Sequence, residues 1–517
     1  MTQFDRRAFL KLSAFLGGGL ALMPEWAEAA ETGLLRIRVA EDLQKLDPAY
    51  LSGNLEEVIN RSVLASLVRL SDMRAGNTLS NWAAEKIEQV SPTEIAFTLL
   101  PGLKWTNGFG DVTAEDVKYS FERIANPANE SAWKYQFEKL KEVEVKDARS
   151  GIIRLTEPFA PIWYVSLPYY GGSIICKAGT EKAGGKYTTE IPAQCGAFLL
   201  EAWEPKQKVR LVANPDWPGP KPDFKAVEFY IVEDDQAAQL AYEAKAFDYT
   251  RVAVSAAKGL DANPPADTKV IKAQSTRYVW LTINMQNPKL ADPRVRQALQ
   301  YAFDGEQVIA GAYEGLVPRS TGVVQPGTTF TRAANKIAKP DYEKAKALLK
   351  EAGAEGLTVQ LAVLNDSTHV AIGTIIQSTM AEAGITVEVS PFDEGAYWVL
   401  GDKTQGEGYK LLEMVLMAFA GGIDPSENLV WFRPEQMGIW NWSLFDSPEF
   451  ETLYQKALSE ADNARRKEMY NRMEDLMEES GGFIFVCHEP FVAIHRTSLV
   501  PDIKADGHPD PVMYKKA

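Results

Sequence analysis

Thr276–Gly315, TRYVWLTINMQNPKLADPRVRQALQYAFDGEQVIAGAYEG, decides how this chain folds. It opens as a strand, because Tyr278, Val279, Trp280, Leu281, Thr282 and Ile283 are β-branched, aromatic or apolar. Asn284 to Pro293 reads as a polar connector bounded by proline. A helix then begins, with Asp292 at the N-cap and Pro293 at the first helical position. Val295, Ala298, Leu299 and Ala302 fall on one face, which must be buried.

Outward from this unit, strands and helices alternate. Leu34 to Ala40 predicts a strand and Asn54 to Leu70 a helix. Ile95 to Leu99 predicts another strand. Thr113 starts a helix with a capping-box spacing in which Asp116 replaces the usual Glu. Ala226 to Val232 is a strand, followed by a helix over Asp235 to Ala246. Asp341 to Gly353 reads as a helix with a glycine C-cap. Strand Thr358 to Leu364, helix Ala371 to Ala383 and strand Ile385 to Val389 follow. Helices over Pro448 to Ser459 and Asn463 to Glu479, then strands Phe483 to Cys487 and Phe491 to Ile494, close the chain. This alternation predicts an α/β architecture with parallel layering, and no internal repeat argues for a solenoid.

Residues 1–29 read as an export signal. Arg6-Arg7 precede Phe9-Leu10-Lys11, an apolar run extends from Leu12 to Met23, and Ala27-Glu28-Ala29 offers a cleavage pattern. The paired arginines point to the twin-arginine route; an uncleaved membrane anchor is the alternative. The remaining chain, about 488 residues, is long enough for two or three domains. Its formal net charge is -15, which argues against nucleic acid and anionic membrane surfaces. Cys176, Cys195 and Cys487 are the only cysteines. Cys176 with Cys195 is the expected disulfide on sequence proximity, and three buried thiols are the alternative.

The ordered features "apolar strand, Asn, connector, Asp-Pro-Arg-Val-Arg-Gln-Ala-Leu, Tyr-Ala-Phe-Asp" closely resemble the signature of family 5 extracellular solute-binding proteins, receptors of ABC importers. Trp105-Thr106-Asn107-Gly108 with Thr113-Ala114-Glu115-Asp116-Val117, and Asn214-Pro215-Asp216-Trp217 with Lys221-Pro222, resemble further motifs of that family. The resemblance runs from about Leu34 to about Arg496. It implies a two-lobed periplasmic binding protein fold of type II, with mixed sheets flanked by helices and an extra subdomain in lobe one. Residues 30–60, 195–282 and 490–517 would form the main part of lobe one, 61–194 the inserted subdomain, and 283–489 lobe two. It further implies a monomeric, non-catalytic protein that needs no cofactor or metal. Such a protein captures a small solute by hinge closure and delivers it to an inner-membrane permease and its ATPase.

Three segments are the expected pocket walls. Ser52-Gly53-Asn54 resembles the family's ligand-facing loop, although Ser52 or Asn54 could equally be a helix cap. Trp133 and Tyr135 lie where relatives present an aromatic to the ligand; subdomain core is the other reading. Phe419, Gly421, Gly422 and Ile423 precede Asp424-Pro425. Peptide binders place an aspartate at the position of Gly421 to hold an ammonium group. Its absence here shifts weight from an ordinary free peptide toward a modified peptide, an opine or a saccharide-like compound. Gly421 and Gly422 are expected to leave room and to expose backbone N–H groups. Asp424 is expected to cap the helix starting at Pro425, and Trp431, Trp440 and Trp442 to form core or a stacking surface.

An exported hydrolytic enzyme is the rival of a different class. No Gly-x-Ser-x-Gly elbow, His-Glu-x-x-His pair or phosphate-binding loop supports it. Nickel or haem binding on the same fold is a second alternative, for which His488 and His495 are the late-chain imidazoles. A sensor or chaperone without transport is a third.

Overall fold

The computed structural model describes residues 32–517 except 52, 77, 132, 505 and 506. The export-signal reading of residues 1–29 and the assignment of Ser52 to the site lie outside the described residues.

In chain order the longer strands are β1 (Leu34–Val39), β2 (Ala84–Ser91), β3 (Glu94–Leu99), β4 (Leu140–Val145), β5 (Ser150–Leu155), β6 (Phe198–Glu204), β7 (Lys208–Ala213), β8 (Ala226–Ile231), β9 (Tyr249–Arg251), β10 (Thr268–Ile283), β11 (Thr358–Leu364), β12 (Thr386–Phe392), β13 (Met414–Phe419) and β14 (Phe483–Arg496). The helices that matter for the site are α1 (Asn54–Val63), α2 (Ala114–Ala125), α3 (Pro293–Ala302), α4 (Tyr342–Glu351), α5 (Ser367–Ala381), α6 (Pro425–Leu429), α7 (Pro448–Ser459) and α8 (Asn463–Glu479).

A ten-stranded mixed sheet runs in the order β6-β7-β8-β1-β9-β14-β10-β13-β11-β12. β1 is parallel to β8 and β11 is parallel to β12, whereas β10 is antiparallel to both neighbours, β13 and β14. A separate four-stranded antiparallel sheet, β2-β3-β5-β4, belongs to the segment between α1 and β6.

The opening stretch folds as its pattern dictates. Asp292 caps α3 by accepting from the Arg294 amide at 2.8 Å, and Val295, Ala298, Leu299 and Ala302 are buried. Along β10 the two-residue strand period splits the side chains between two cores. Val279, Leu281 and Ile283 join α3 and α5 residues such as Leu299 and Ile372. Tyr278 and Trp280 face the larger core, with Met417, Phe483 and Phe485.

β10 and β14 join the two ends of the sheet. Thr268 to Gln274 pairs with Arg496 to Pro490 beside β9, and Tyr278 to Thr282 pairs with His488 to Phe483 beside β13. Between these ladders Ser275, Thr276 and Arg277 stand opposite Glu489 alone. Such a break bends the pair and leaves its backbone less constrained than a regular ladder. Ser275 Oγ donates to the Glu489 carbonyl at 3.1 Å, and Arg277 pairs with the Glu489 carboxylate at 2.9 Å.

Several expectations are corrected. The helix expected over Asn54 to Leu70 ends at Val63, whose carbonyl accepts from the Cys195 and Gly196 amides at 3.1 and 2.9 Å. The following residues pair as the short strands Ala65–Ser66 and Val68–Leu70. The two late strands are one, β14, continuous through Pro490 because the register break tolerates a residue without an N–H. The expected Cys176–Cys195 disulfide is not formed: all three cysteines are free and buried. The Cys176 thiol instead caps a short helix, accepting from the Gly179 amide at 3.3 Å. Burial pushes the thiol pKa of each cysteine up, which keeps it protonated.

Candidate functional site

Strand pairing sets the first wall. β13 meets β10 with Phe419 opposite Tyr278. The Phe419 ring lies 5.0 Å from Trp280, 5.6 Å from Trp440 and 6.1 Å from Trp398 and Trp431. Trp398, Trp431 and Trp440 are partly buried around it, while Trp442 is a core residue. The sheet thus ends in a cluster of aromatic rings.

The second wall comes from the segment after α2. Trp133 stacks on Tyr170 with centroids 4.2 Å apart and planes 15° apart, and its Nε1 donates to the Leu51 carbonyl at 3.1 Å. Ser131 Oγ donates to the Ala49 carbonyl and accepts from the Trp133 amide, pinning this segment to the loop before α1. Tyr135 is 39% exposed and donates its hydroxyl to Glu427 Oε1 at 3.3 Å. A cavity of about 210 Å³ opens here, lined by Tyr135, Phe159, Glu427, Trp431 and Arg433 among others.

The glycine pair does not behave as expected. The Gly421 amide donates to the Thr276 carbonyl at 3.1 Å, and the Gly422 amide donates to Asn428 Oδ1 at 2.8 Å. Neither N–H is left for a ligand. Nor do the glycines leave empty space. A Cβ on Gly421 would fall 2.4 Å from Asn428 Oδ1, and one on Gly422 would fall 1.7 Å from Glu427 Oε2. They are glycines because α6 side chains lie against their backbone. Ile423 is 8% exposed and packs against Leu70, Tyr164 and Tyr169.

Asp424 caps α6 as expected, accepting from the Ser426 amide at 3.0 Å. It also accepts from Arg466 at 2.7 and 2.9 Å, a pair closed off from solvent. Glu427 was not legible as a site residue. Burial, then repulsion from Asp424 and Glu57, raises its pKa to about 8 against the pull of the Tyr135 hydrogen bond. A glutamate at the third position of a helix ordinarily reads as part of a capping box, which hid it.

Gly53 is the N-cap of α1, and its amide donates to Glu56 Oε2 at 2.8 Å. The cap is therefore made by the Glu56 side chain, with no side-chain cap from Asn54. Asn54 Nδ2 donates to Glu41 Oε1 at 2.6 Å. Asn54 lines a second cavity, of about 470 Å³, together with Arg38, Arg251, Arg277, His369 and Glu489. Both halves of the sheet contribute to it. Arg38 pairs with Asp235 at 2.7 Å, and His369 Nδ1 meets Asp366 Oδ2 at 2.6 Å. Burial opposes ionisation of Asp366, but hydrogen bonds from His369 and Thr368 hold its pKa below the ordinary carboxylate value. The His369 Nε2 and Tyr249 hydroxyl atoms are buried and have no hydrogen-bond partner among the described residues. Two unsatisfied polar atoms in a cavity wall favour a polar occupant.

Of the expected site residues, Tyr135 lines the smaller cavity with Trp431, Phe419 packs behind Trp431, Trp133 stands behind Tyr135 on Tyr170, and Asn54 lines the larger charged cavity. Gly53, Gly421, Gly422 and Ile423 support these walls through backbone bonds and packing. His488 is fully buried beneath Tyr278, between Ser320 Oγ and the Val323 carbonyl, each at 3.2 Å. Burial lowers its pKa to about 4, so it is neutral at physiological pH.

Comparison with known proteins gives a consistent picture. The family described as "Bacterial extracellular solute-binding proteins, family 5 Middle" matches residues 78–435. The chain is 26% identical over 483 residues to the probable D,D-dipeptide-binding periplasmic protein DdpA of Escherichia coli K12, covering 89% of each. It is 25% identical over 500 residues to the glutathione-binding protein GsiB of the same organism, covering 94% of each. Its fold superposes on the crystal structure of the ABC transporter substrate binding protein CtaP of Listeria monocytogenes with a TM-score of 0.82. Identity there is 20%, over 94% of this chain and 99% of the other. The two-lobed fold is thereby established.

Proposed function

Because the chain belongs to the family 5 extracellular solute-binding proteins, the capturing components of ABC importers, we propose that it closes two lobes around a peptide-like or other polar small solute. The proposed lobes are residues 30–60, 195–282 and 490–517 with the inserted 61–194, against 283–489. Their hinge is the ladder break at Ser275–Arg277 and Glu489, where only two strands cross. This break is the observation that carries the reading. Two crossing strands interrupted at the same level flex far more readily than a packed sheet, and the cavities of about 470 and 210 Å³ both draw walls from either side of it.

Ligand bridging then shifts the population toward the closed form, whose surface the permease and its ATPase read. The peptide-like class is supported by the dipeptide and glutathione named for the two relatives. The half-buried Glu427 carboxylate weakens the case, made from Gly421 alone, against solutes with an amino group. The protein acts in the periplasm as a monomer, exported through the Arg6-Arg7 signal by the twin-arginine route. Native mass spectrometry of freshly purified protein tests the solute class. A co-purified polar molecule of a few hundred daltons is expected; saturable turnover of that molecule would instead mark an enzyme.

A further inference from the structure

We infer that the cavity of about 210 Å³ walled by Tyr135, Phe159 and Trp431 receives a cationic group of the solute, an ammonium or guanidinium, with the Glu427 carboxylate as its counter-ion. This rests on the proposed solute-binding function and names the chemistry of one end of that solute.

The argument begins with what Glu427 lacks. Among the described residues its hydrogen bond comes from the neutral Tyr135 hydroxyl, and no Lys, Arg or His pairs with it. Every other acid around it is committed. Asp424 is held by Arg466 and Tyr470, and Glu57 by Arg61. The cation in the cavity wall, Arg433, is gripped by both oxygens of Glu451, at 2.7 and 2.9 Å, and by Glu435; it also covers the Tyr454 ring at 4.8 Å. Glu435 and Glu138, at the rim of the same cavity, are paired with Arg433 and Lys139. The wall therefore presents one carboxylate without a cationic partner, beside the exposed Tyr135 ring and the partly buried Trp431, rings of the kind that attract cations.

The surroundings also fix where that carboxylate stands. Gly422 has no Cβ, and Glu427 Oε2 occupies the space where one would be. Gly421 is closed by Asn428 and the Thr276 carbonyl. An acid partly withdrawn from water and without a cationic partner opposes its own ionisation, and a ligand cation offsets that penalty. Glu427, with a pKa raised to about 8 chiefly by burial, carries a proton in most molecules at pH 7. Binding a cation ionises it, and the displaced proton leaves to solvent. Binding thus releases close to one proton at pH 7 and weakens as pH falls.

The test uses n-butylammonium and guanidinium chloride as probes, with n-butanol as the neutral control. The full chain carries 5-fluorotryptophan, and the Trp431 resonance is assigned by Trp431→Phe. Both cations are expected to shift that resonance saturably, and butanol is not. Glu427→Gln is expected to weaken the cations at least tenfold, and so is lowering wild type from pH 8.5 to pH 6. Absence of a saturable shift, or binding unaltered by pH in wild type, would overturn the inference whether or not the variant folds. Cation affinity unchanged in a folded Glu427→Gln protein would overturn it as well. Lobe closure on a solute that bears no cation removes this inference and leaves the solute-binding function standing. Failure to close on any solute removes the function, and the butylammonium titration still reads the pocket.

Discussion

Replacing Glu427 by glutamine is expected to make the ligand-free protein more stable, and increasingly so as pH rises. The carboxyl has an ordinary pKa of 4.5 and is raised to about 8 in the fold. Between those values the folded state binds more protons than the unfolded state, so wild-type stability falls as pH rises through this window. Each pH unit inside it costs about 1.4 kcal/mol, or about 3 kcal/mol by pH 7 for a fully enclosed group. Glu427 is half-buried, and solvent reach trims this to about 2 kcal/mol. Glutamine is neutral throughout, keeps an oxygen for the Tyr135 hydroxyl and adds no volume. In a chain this long, about 2 kcal/mol corresponds to roughly 2 °C in Tm. Thermal unfolding followed by circular dichroism from pH 4 to pH 9 gives the comparison. The two proteins should coincide near pH 4.5 and separate up to about pH 8, with the variant higher. Parallel curves, or a variant less stable at pH 8, would refute the reasoning that this carboxylate is desolvated and unpaired.

Trp133→Ala removes a ring fixed by Tyr170 and Leu51 and is expected to weaken the co-purified solute more than tenfold in calorimetry while the circular dichroism spectrum is kept. Asp424→Asn leaves Arg466 without its buried partner and should destabilise the fold by about 3–5 kcal/mol, read by denaturant unfolding. The thiols of Cys176, Cys195 and Cys487 should all be unreactive to a thiol reagent in native protein and all react after denaturation without reductant.

Much of the architecture was legible because it rests on local chemistry. The Asp292-Pro293 cap, the Thr113–Asp116 box and the Asp424 cap each satisfy backbone donors within a few residues, and all three occur as read. β13 was missed: Met414 to Phe419 is buried on both faces and shows no alternation, so only its pairing with β10 and β11 defines it. The end of α1 was misplaced for a related reason, since distant amides of Cys195 and Gly196 claim the Val63 carbonyl. In the site, the aromatic positions could be named from sequence, but not whether their rings converge. The glycines show the limit most clearly. From sequence they signify space and free N–H groups; in the fold the space belongs to Glu427 and Asn428, and the donors are used. A carboxylate supplied from the next turn of chain cannot be seen until that turn is placed.

Hinge motion about the crossing strands can be read from one distance. Leu240 and Leu411 lie on opposite sides of the ladder break and are 67% and 71% exposed, while the native cysteines are buried. Spin labels at Leu240→Cys and Leu411→Cys should therefore report lobe separation by pulsed dipolar spectroscopy. With the co-purified solute stripped and then returned, the distribution is expected to shift and narrow to a single closed distance. The same distribution with and without bound solute would contradict capture by lobe closure.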